Sequence, residues 1–199
     1  KLGRDNKRVA IYYHNSDVCK AINRDRLNPI HLTEDLAKRM GGMDKVPRLS
    51  PKVYATNDLE HIVENNDFII LSVTMNRLPE LLNYLKPMID KKAGDTCLIS
   101  PIKGLKSDEI STELITPSQL IHNHLYNLEH KYQVACIGGP FFDMDIALGK
   151  PVCLTVAGNR RTANIIRDYL LMFNRKELYA YYNFDKIGVE ACGALKNIV

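Results

Sequence analysis

Apolar residues fall in short β-rich blocks separated by stretches where they recur every three or four positions. Val9–Tyr13 is the first block, and Asn15 or Ser16 stands as a cap before a helix-like stretch through Ile22. Thr33–Met40 reads as a short helix closed by Gly41 and Gly42, and Val46–Pro51, with its two prolines, as a connecting loop. The alternation then resumes. Strands are predicted at Lys52–Ala55, Phe68–Val73 and Thr96–Ser100, with helices between them at Asp58–Glu64 and Pro79–Asp90. A mixed segment runs to Pro117, where Thr116 before Pro117 signals a helix over Ser118–Glu129. Strands at Tyr132–Ile137 and Pro151–Ala157 follow. From Asn159 to Phe173, Ala163, Ile166, Leu170 and Phe173 share one helical face; a strand at Leu178–Tyr182 then leads into a terminal helix over Asp185–Val199.

Short apolar strands alternating with amphipathic helices predict an α/β fold: a doubly wound, mostly parallel sheet covered on both faces. In such sheets ligands collect outside the carboxyl ends of the strands, so the residues just after each strand are where chemistry is expected.

Composition narrows the picture without redirecting it. The 199 residues are 45% hydrophobic and 25% charged, ordinary globular values, and the net charge of +4 is spread along the chain. That balance suits a phosphorylated small molecule and demands no nucleic acid. The longest apolar runs, such as Phe68–Leu71, fall far short of the ~18 residues a membrane span requires. No basic and apolar leader opens the chain, so secretion finds no support. Five cysteines without a C-x-x-C pair indicate neither a disulfide framework nor a zinc site, and Cys97, Cys136 and Cys153, inside apolar segments, read as small buried hydrophobes. His122 and His124 are two apart on a predicted helix and face different directions, while His31, His61 and His130 are isolated; all read as solvated side chains rather than metal ligands.

Three places remain where the residue types suggest chemistry. Lys103-Gly104 follows the Thr96–Ser100 strand and Gly138-Gly139-Pro140 follows Tyr132–Ile137, so both fall on the ligand-facing edge of a parallel sheet. A lysine there offers charge to an oxyanion or phosphate, and glycines let backbone amides approach a ligand. The plain alternative is a pair of ordinary turns. The terminal helix carries Gly188 and Gly193, each costing about 1 kcal/mol against Ala, so something needs the space. Helical side chains lean toward the N-terminus, which sets Lys196 over the turn of Cys192 and Gly193 beside a hollow. A close helix crossing, with Lys196 reaching solvent, accounts for the same residues.

Taken in order, five segments resemble NAD(P)-dependent glycerol-3-phosphate dehydrogenase: Ala21-Ile22-Asn23 with Asn28-Pro29; Ala55-Thr56-Asn57-Asp58-Leu59; Lys103-Gly104-Leu105; Gly139-Pro140-Phe141-Phe142 through Lys150-Pro151; and Asp185-Lys186-Ile187-Gly188-Val189-Glu190 running into Gly193-Ala194-Leu195-Lys196-Asn197. The resemblance implies reversible hydride transfer with NAD or NADP between sn-glycerol 3-phosphate and dihydroxyacetone phosphate, linking glycolysis to glycerolipid synthesis. It implies Lys196 as proton donor and acceptor at the carbonyl oxygen, Lys103 as a second catalytic and substrate-binding lysine, and Gly139 at the substrate contact. Cofactor contacts are expected at His14, Val73, Lys103 and Asp143, and no metal is required. It also implies a cytoplasmic enzyme, with an organelle left open and a homodimer among the assemblies allowed.

The sequence departs from that pattern in places. No G-x-G-x-x-G stands in residues 1–199, so the first strand and pyrophosphate loop of a Rossmann unit are expected to be absent and Val9–Tyr13 to be its second strand. On this reading residues 1–183 form a partial nucleotide-binding domain and 184–199 begin an all-helical substrate domain. Val73-Thr74-Met75 replaces the family's Val-Pro-Ser, Ile102 its threonine before Lys-Gly, Phe141 a small or polar residue, and Asp143 an alanine. Two other functions fit these residues: a non-catalytic dehydrogenase-like nucleotide-binding domain, and a dehydrogenase of a β-hydroxy acid.

Overall fold

The structure is a computed structural model that describes residues 8–30, 37–38, 40–107, 113–140, 145–146, 150–173 and 178–196. The chain divides into two compact units, Lys1–Ile62 and Val63–Val199.

In the first unit, β1 (Val9–Tyr12) and β2 (Val53–Thr56) pair in parallel, Val9 with Val53 through Tyr12 with Thr56. Helix α1 (Ser16–Asp25) connects them. Asn15 is its cap: the side-chain oxygen accepts from the amides of Asp17 at 2.8 Å and Val18 at 3.3 Å, two donors that the first turn leaves orphaned. The helix stops at Arg26, which takes a left-handed conformation with φ 57°. Its apolar face buries Cys19 and Ile22 with Ala55, and Ile11, Tyr13, Val18 and Leu49 pack around them. Asn23 donates to the Ala55 carbonyl and accepts from the Ala55 amide, both at 2.8 Å, so one side chain completes the outer edge of β2 as a further strand would. Gly41 and Gly42 have φ of 89° and 130°, the conformations expected of helix-closing glycines. Most of the helix predicted over Thr33–Met40 lies outside the described residues.

The second unit holds a five-stranded sheet in the order β3 (Phe68–Ile70), β4 (Thr96–Ser100), β7 (Tyr132–Gly138), β8 (Val152–Ala157), β9 (Leu178–Asn183). β3, β4 and β7 are mutually parallel, β8 runs antiparallel to β7, and β9 is parallel to β8. The predicted mostly parallel α/β sheet is therefore what forms. Helix α2 (Leu59–Asn65) begins in the first unit and ends in the second, where helices α3 (Leu78–Lys91), α4 (Pro117–Leu125), α5 (Arg160–Phe173) and α6 (Lys186–Leu195) alternate with the strands.

Strand side chains alternate between faces, and the two faces meet different helices. Ile99, Ala135, Leu154 and Val156 pack with Ala163 and Ile166 of α5. On the other side α4 and α6 lie against β7 and α3 packs on α4; Leu78, Leu82, Leu85, Ile89, Ile121 and Leu125 are all essentially sealed from solvent. Each contributes about 1.5–3 kcal/mol by leaving water.

Several expectations are corrected. The strand predicted over Phe68–Val73 stops at Ile70, because the Ser72 amide turns back to the Ile70 carbonyl at 3.2 Å and Thr74 starts the turn into α3. The mixed segment before Pro117 contains a small antiparallel pair, β5 (Lys106–Ser107) with β6 (Leu114–Ile115). Cys153 is exposed rather than buried, while Cys136 is buried and Cys97 partly so. His122 and His124 are half-buried, not solvated. The Nδ1 of His122 lies 2.9 Å from the Tyr132 hydroxyl and that of His124 3.0 Å from the Leu120 carbonyl. No described helix is long and apolar enough to cross a membrane.

Candidate active site

Because β3, β4 and β7 are parallel, the segments after them emerge on one edge of the second unit. Val73 follows β3 and is half-buried; Lys103 follows β4 and is exposed; Gly139 follows β7. Two of these loops touch. Gly104 has φ 152°, and a Cβ added there would sit 3.5 Å from the Met75 Cβ, so the loop after β4 lies against the loop after β3. Gly139 has φ 140°, which L side chains rarely adopt. Met75 and Ile102, two of the departures from the expected motif, are each 7% exposed and point inward.

Helix α6 carries Lys196 at its C-terminal cap, half-buried. Asp185 caps the other end, its carboxylate accepting from the Gly188 amide at 2.8 Å. A Cβ on Gly188 would collide with that carboxylate, so this glycine serves the cap. The helix presses on the end of β7, where a Cβ on Gly138 would lie 2.6 Å from Val189 Cγ1 and 2.9 Å from the Val189 carbonyl oxygen. It runs antiparallel to α4: Lys186 Nζ lies 3.4 Å from His122 Nε2, and one turn later Glu190 meets Ser118. α4 begins at the carboxyl edge, so α6 climbs past that edge, and from Glu190 to Lys196 it rises a further ~9 Å at 1.5 Å per residue. Gly193, buried on this stretch, would bring a Cβ within 4 Å of no described atom, in keeping with the hollow expected beside Lys196.

The second unit thus gathers Val73, Lys103 and Gly139 on the carboxyl edge, with Lys196 on the helix that rises beside it. His14 belongs to the first unit, exposed just after β1 and stacked on Tyr13 with ring centroids 4.9 Å apart. Asp143 and Phe141 lie outside the described residues. A hollow of about 370 Å³ opens at the opposite, amino edge of the sheet between Asp67, Asp95, Gln133 and Arg161, away from all of these groups.

Sequence reasoning missed the polar layer under α6. Glu190 is 4% exposed, and its two oxygens accept from the Ser118 amide at 3.0 Å and the Ser118 hydroxyl at 2.6 Å. Burial pushes its carboxyl above the usual glutamate range, and the hydrogen bonds from Ser118 and Thr116 pull it back. Burial and the neighbouring Lys186 ammonium lower the His122 imidazole below its ordinary 6.5. The Cys136 thiol, buried and close to Glu190, is pushed up to about 12 and is unreactive as a nucleophile. The available signal was a glutamate set among Gly188, Val189 and Ala191 on a helix that must pack.

The sequence profile described as "NAD-dependent glycerol-3-phosphate dehydrogenase N-terminus" matches residues 1–164. The chain belongs to the NAD-dependent glycerol-3-phosphate dehydrogenase family. A glycerol-3-phosphate dehydrogenase [NAD(P)+] of Syntrophomonas wolfei is 33% identical over 154 residues, 76% of this chain and 41% of its own. The enzyme of the same name from Syntrophobacter fumaroxidans is 26% identical over 96% of this chain and 50% of its own. The chain spans about half the length of these curated relatives. Among solved structures, glycerol-3-phosphate dehydrogenase from Coxiella burnetii superposes with a TM-score of 0.71 at 24% identity, over 99% of this chain and 53% of its own. The DsGPDH of Dunaliella salina superposes with a TM-score of 0.76 at 22% identity, over 96% of this chain and 30% of its own. These likenesses establish a shared fold with the glycerol-3-phosphate dehydrogenase family.

Proposed function

We propose that this chain forms the nucleotide-binding half of an enzyme that interconverts sn-glycerol 3-phosphate and dihydroxyacetone phosphate, with NAD or NADP as hydride carrier. The observation that carries the reading is the course of α6, which lifts Lys196 past the end of β7 on the same edge that bears Lys103 and Gly139. The named relatives act with NAD(P)+, and the backbone here suits the hydride end of such a cofactor: Gly104 and Gly139, at φ 152° and 140°, leave the main chain bare of Cβ atoms on the carboxyl edge. Val73 and Lys103 would flank that end, His14 and Asp143 being the other expected contacts. No G-x-G-x-x-G for the pyrophosphate stands in these 199 residues.

When bound, the cofactor supplies or accepts a hydride at substrate C2. The protein's own part is electrostatic. Hydride arrival leaves negative charge on the carbonyl oxygen, and the Lys196 ammonium stabilises that charge and donates the proton that neutralises it; in the reverse direction the neutral amine takes the proton from the hydroxyl. Lys103 supplies a second positive charge that holds the substrate. Gly139, without a Cβ, lets the backbone approach it. In this scheme residues 1–183 bind the nucleotide and 184–199 begin the helical substrate-binding part, whose first turns pack on the second unit.

The test is oxidation of NADH and of NADPH by the product of the complete reading frame with dihydroxyacetone phosphate, followed at 340 nm. Turnover with that substrate and none with β-hydroxy acids in the oxidative direction is the expected outcome. Oxidation of a β-hydroxy acid would move the chain to the related dehydrogenases. Nucleotide binding without turnover would favour the non-catalytic reading, for which buried Met75 and Ile102 are the structural argument.

A further inference from the structure

Glu190 is a buried carboxylate outside the proposed chemistry, and what it does to α6 follows from its partners. Its two oxygens accept from the Ser118 amide and hydroxyl, in the first turn of α4, with the Thr116 hydroxyl beside them. The Ser118 amide is one of the orphan donors of that turn; the Gln119 amide is taken by the Thr116 hydroxyl in a capping box, so Glu190 supplies from another helix what the local cap leaves unmet. Taking a carboxylate out of water is costly even when it is well bonded, and an apolar side chain of similar size stabilises such a contact as well or better. What the carboxylate adds is direction. Apolar ridges tolerate sliding, whereas two hydrogen bonds to one residue fix the position of α6 along its own axis. One turn earlier Lys186 meets His122, so the helix is held at two points on α4, while Cys136 of β7 faces it from the sheet through the Lys186 carbonyl at 3.6 Å.

We propose that Glu190 is a positioning residue: its clasp on Ser118 sets how far α6 extends beyond β7, and so where the Lys196 ammonium stands over the carboxyl edge. The proposal rests on the functional reading above, in that Lys196 must be the group that moves the proton. An error of about 1 Å in placing such a group costs on the order of a hundredfold in rate, while binding of substrate and cofactor through other residues is spared.

The experiment uses the product of the complete reading frame and measures kcat and KM for dihydroxyacetone phosphate, the affinity for NADH and the folded fraction by circular dichroism. Glu190→Ala should lose about ten- to a hundredfold in kcat per folded molecule, with KM and cofactor affinity nearly unchanged. Ser118→Ala, which removes one of the two bonds, should lose several-fold in the same pattern. Glu190→Gln, whose amide oxygen still accepts from the Ser118 amide, should recover most of kcat. Normal kcat per folded molecule in Glu190→Ala and Ser118→Ala, or losses that only follow the folded fraction, would overturn the proposal and leave Glu190 a structural tie. If Glu190→Ala does not fold, Ser118→Ala decides alone, and unchanged kcat there counts against the proposal. Lys196→Ala separates the two layers: full turnover in it removes the functional reading together with this one. An inactive Lys196→Ala beside normal Glu190 and Ser118 variants removes only the positioning role.

Discussion

At the scale of single residues, the site is shaped as much by absent side chains as by present ones. Gly138 sits where a Cβ would drive into Val189 of α6, both its side chain and its carbonyl. Gly138→Ala should therefore destabilise the second unit by about 1–3 kcal/mol, the usual cost of overpacking, measured by urea unfolding. Gly94→Ala, at a position where a Cβ meets nothing within 4 Å, should change stability by a few tenths at most. Equal effects at both positions would contradict the close approach of β7 and α6. The positions of Lys103 and Gly139 just after apolar strands, and of Lys196 near the end of the terminal helix, were legible in the sequence; the roles proposed for them come from the family resemblance. Glu190 was not, because its partner Ser118 lies 72 positions away and hydropathy reports which face is buried, not which polar groups meet there.

At the scale of elements, α4 and α6 behave as a pair joined by polar groups inside an otherwise apolar contact. His122 is the titrating member, bonded to Tyr132 on one side and Lys186 on the other. Its folded pKa is lowered, so between that value and 6.5 the unfolded chain takes up a proton that the native state refuses. The stability His122 contributes is complete above 6.5 and is lost as the pH falls through the folded value. Histidine Cε1 shifts followed by NMR should place the His122 midpoint below the ordinary 6.5, and His122→Gln should reduce the fall in stability between neutral and mildly acidic pH. A midpoint at or above 6.5 would contradict the burial of this layer. Element boundaries were legible wherever a cap or proline marked them, as at Asn15 and Pro117. They failed at β3, where Val73 continues the apolar pattern after the backbone has turned at Ser72, and at β5 and β6, too short to carry any periodicity.

At the scale of the molecule, the mostly parallel sheet was legible from the alternation of strands and helices alone, since that order has few other solutions. The antiparallel entry of β8 was not, because pairing direction leaves no mark on hydropathy. β3 stands at the end of this sheet's strand order, and Ile70 on it is 58% exposed. Such an edge templates further pairing. The 199-residue polypeptide should self-associate as its concentration rises, and Ile70→Lys should suppress this in light scattering; monodispersity at high concentration without the substitution would show that the edge is covered.

The central claim is that Lys196 moves the proton on the sheet edge where Lys103 holds the substrate. In the product of the complete reading frame, Lys196→Ala should abolish turnover of dihydroxyacetone phosphate while calorimetry finds NADH bound as tightly as before. Near-normal turnover in that variant would contradict the account.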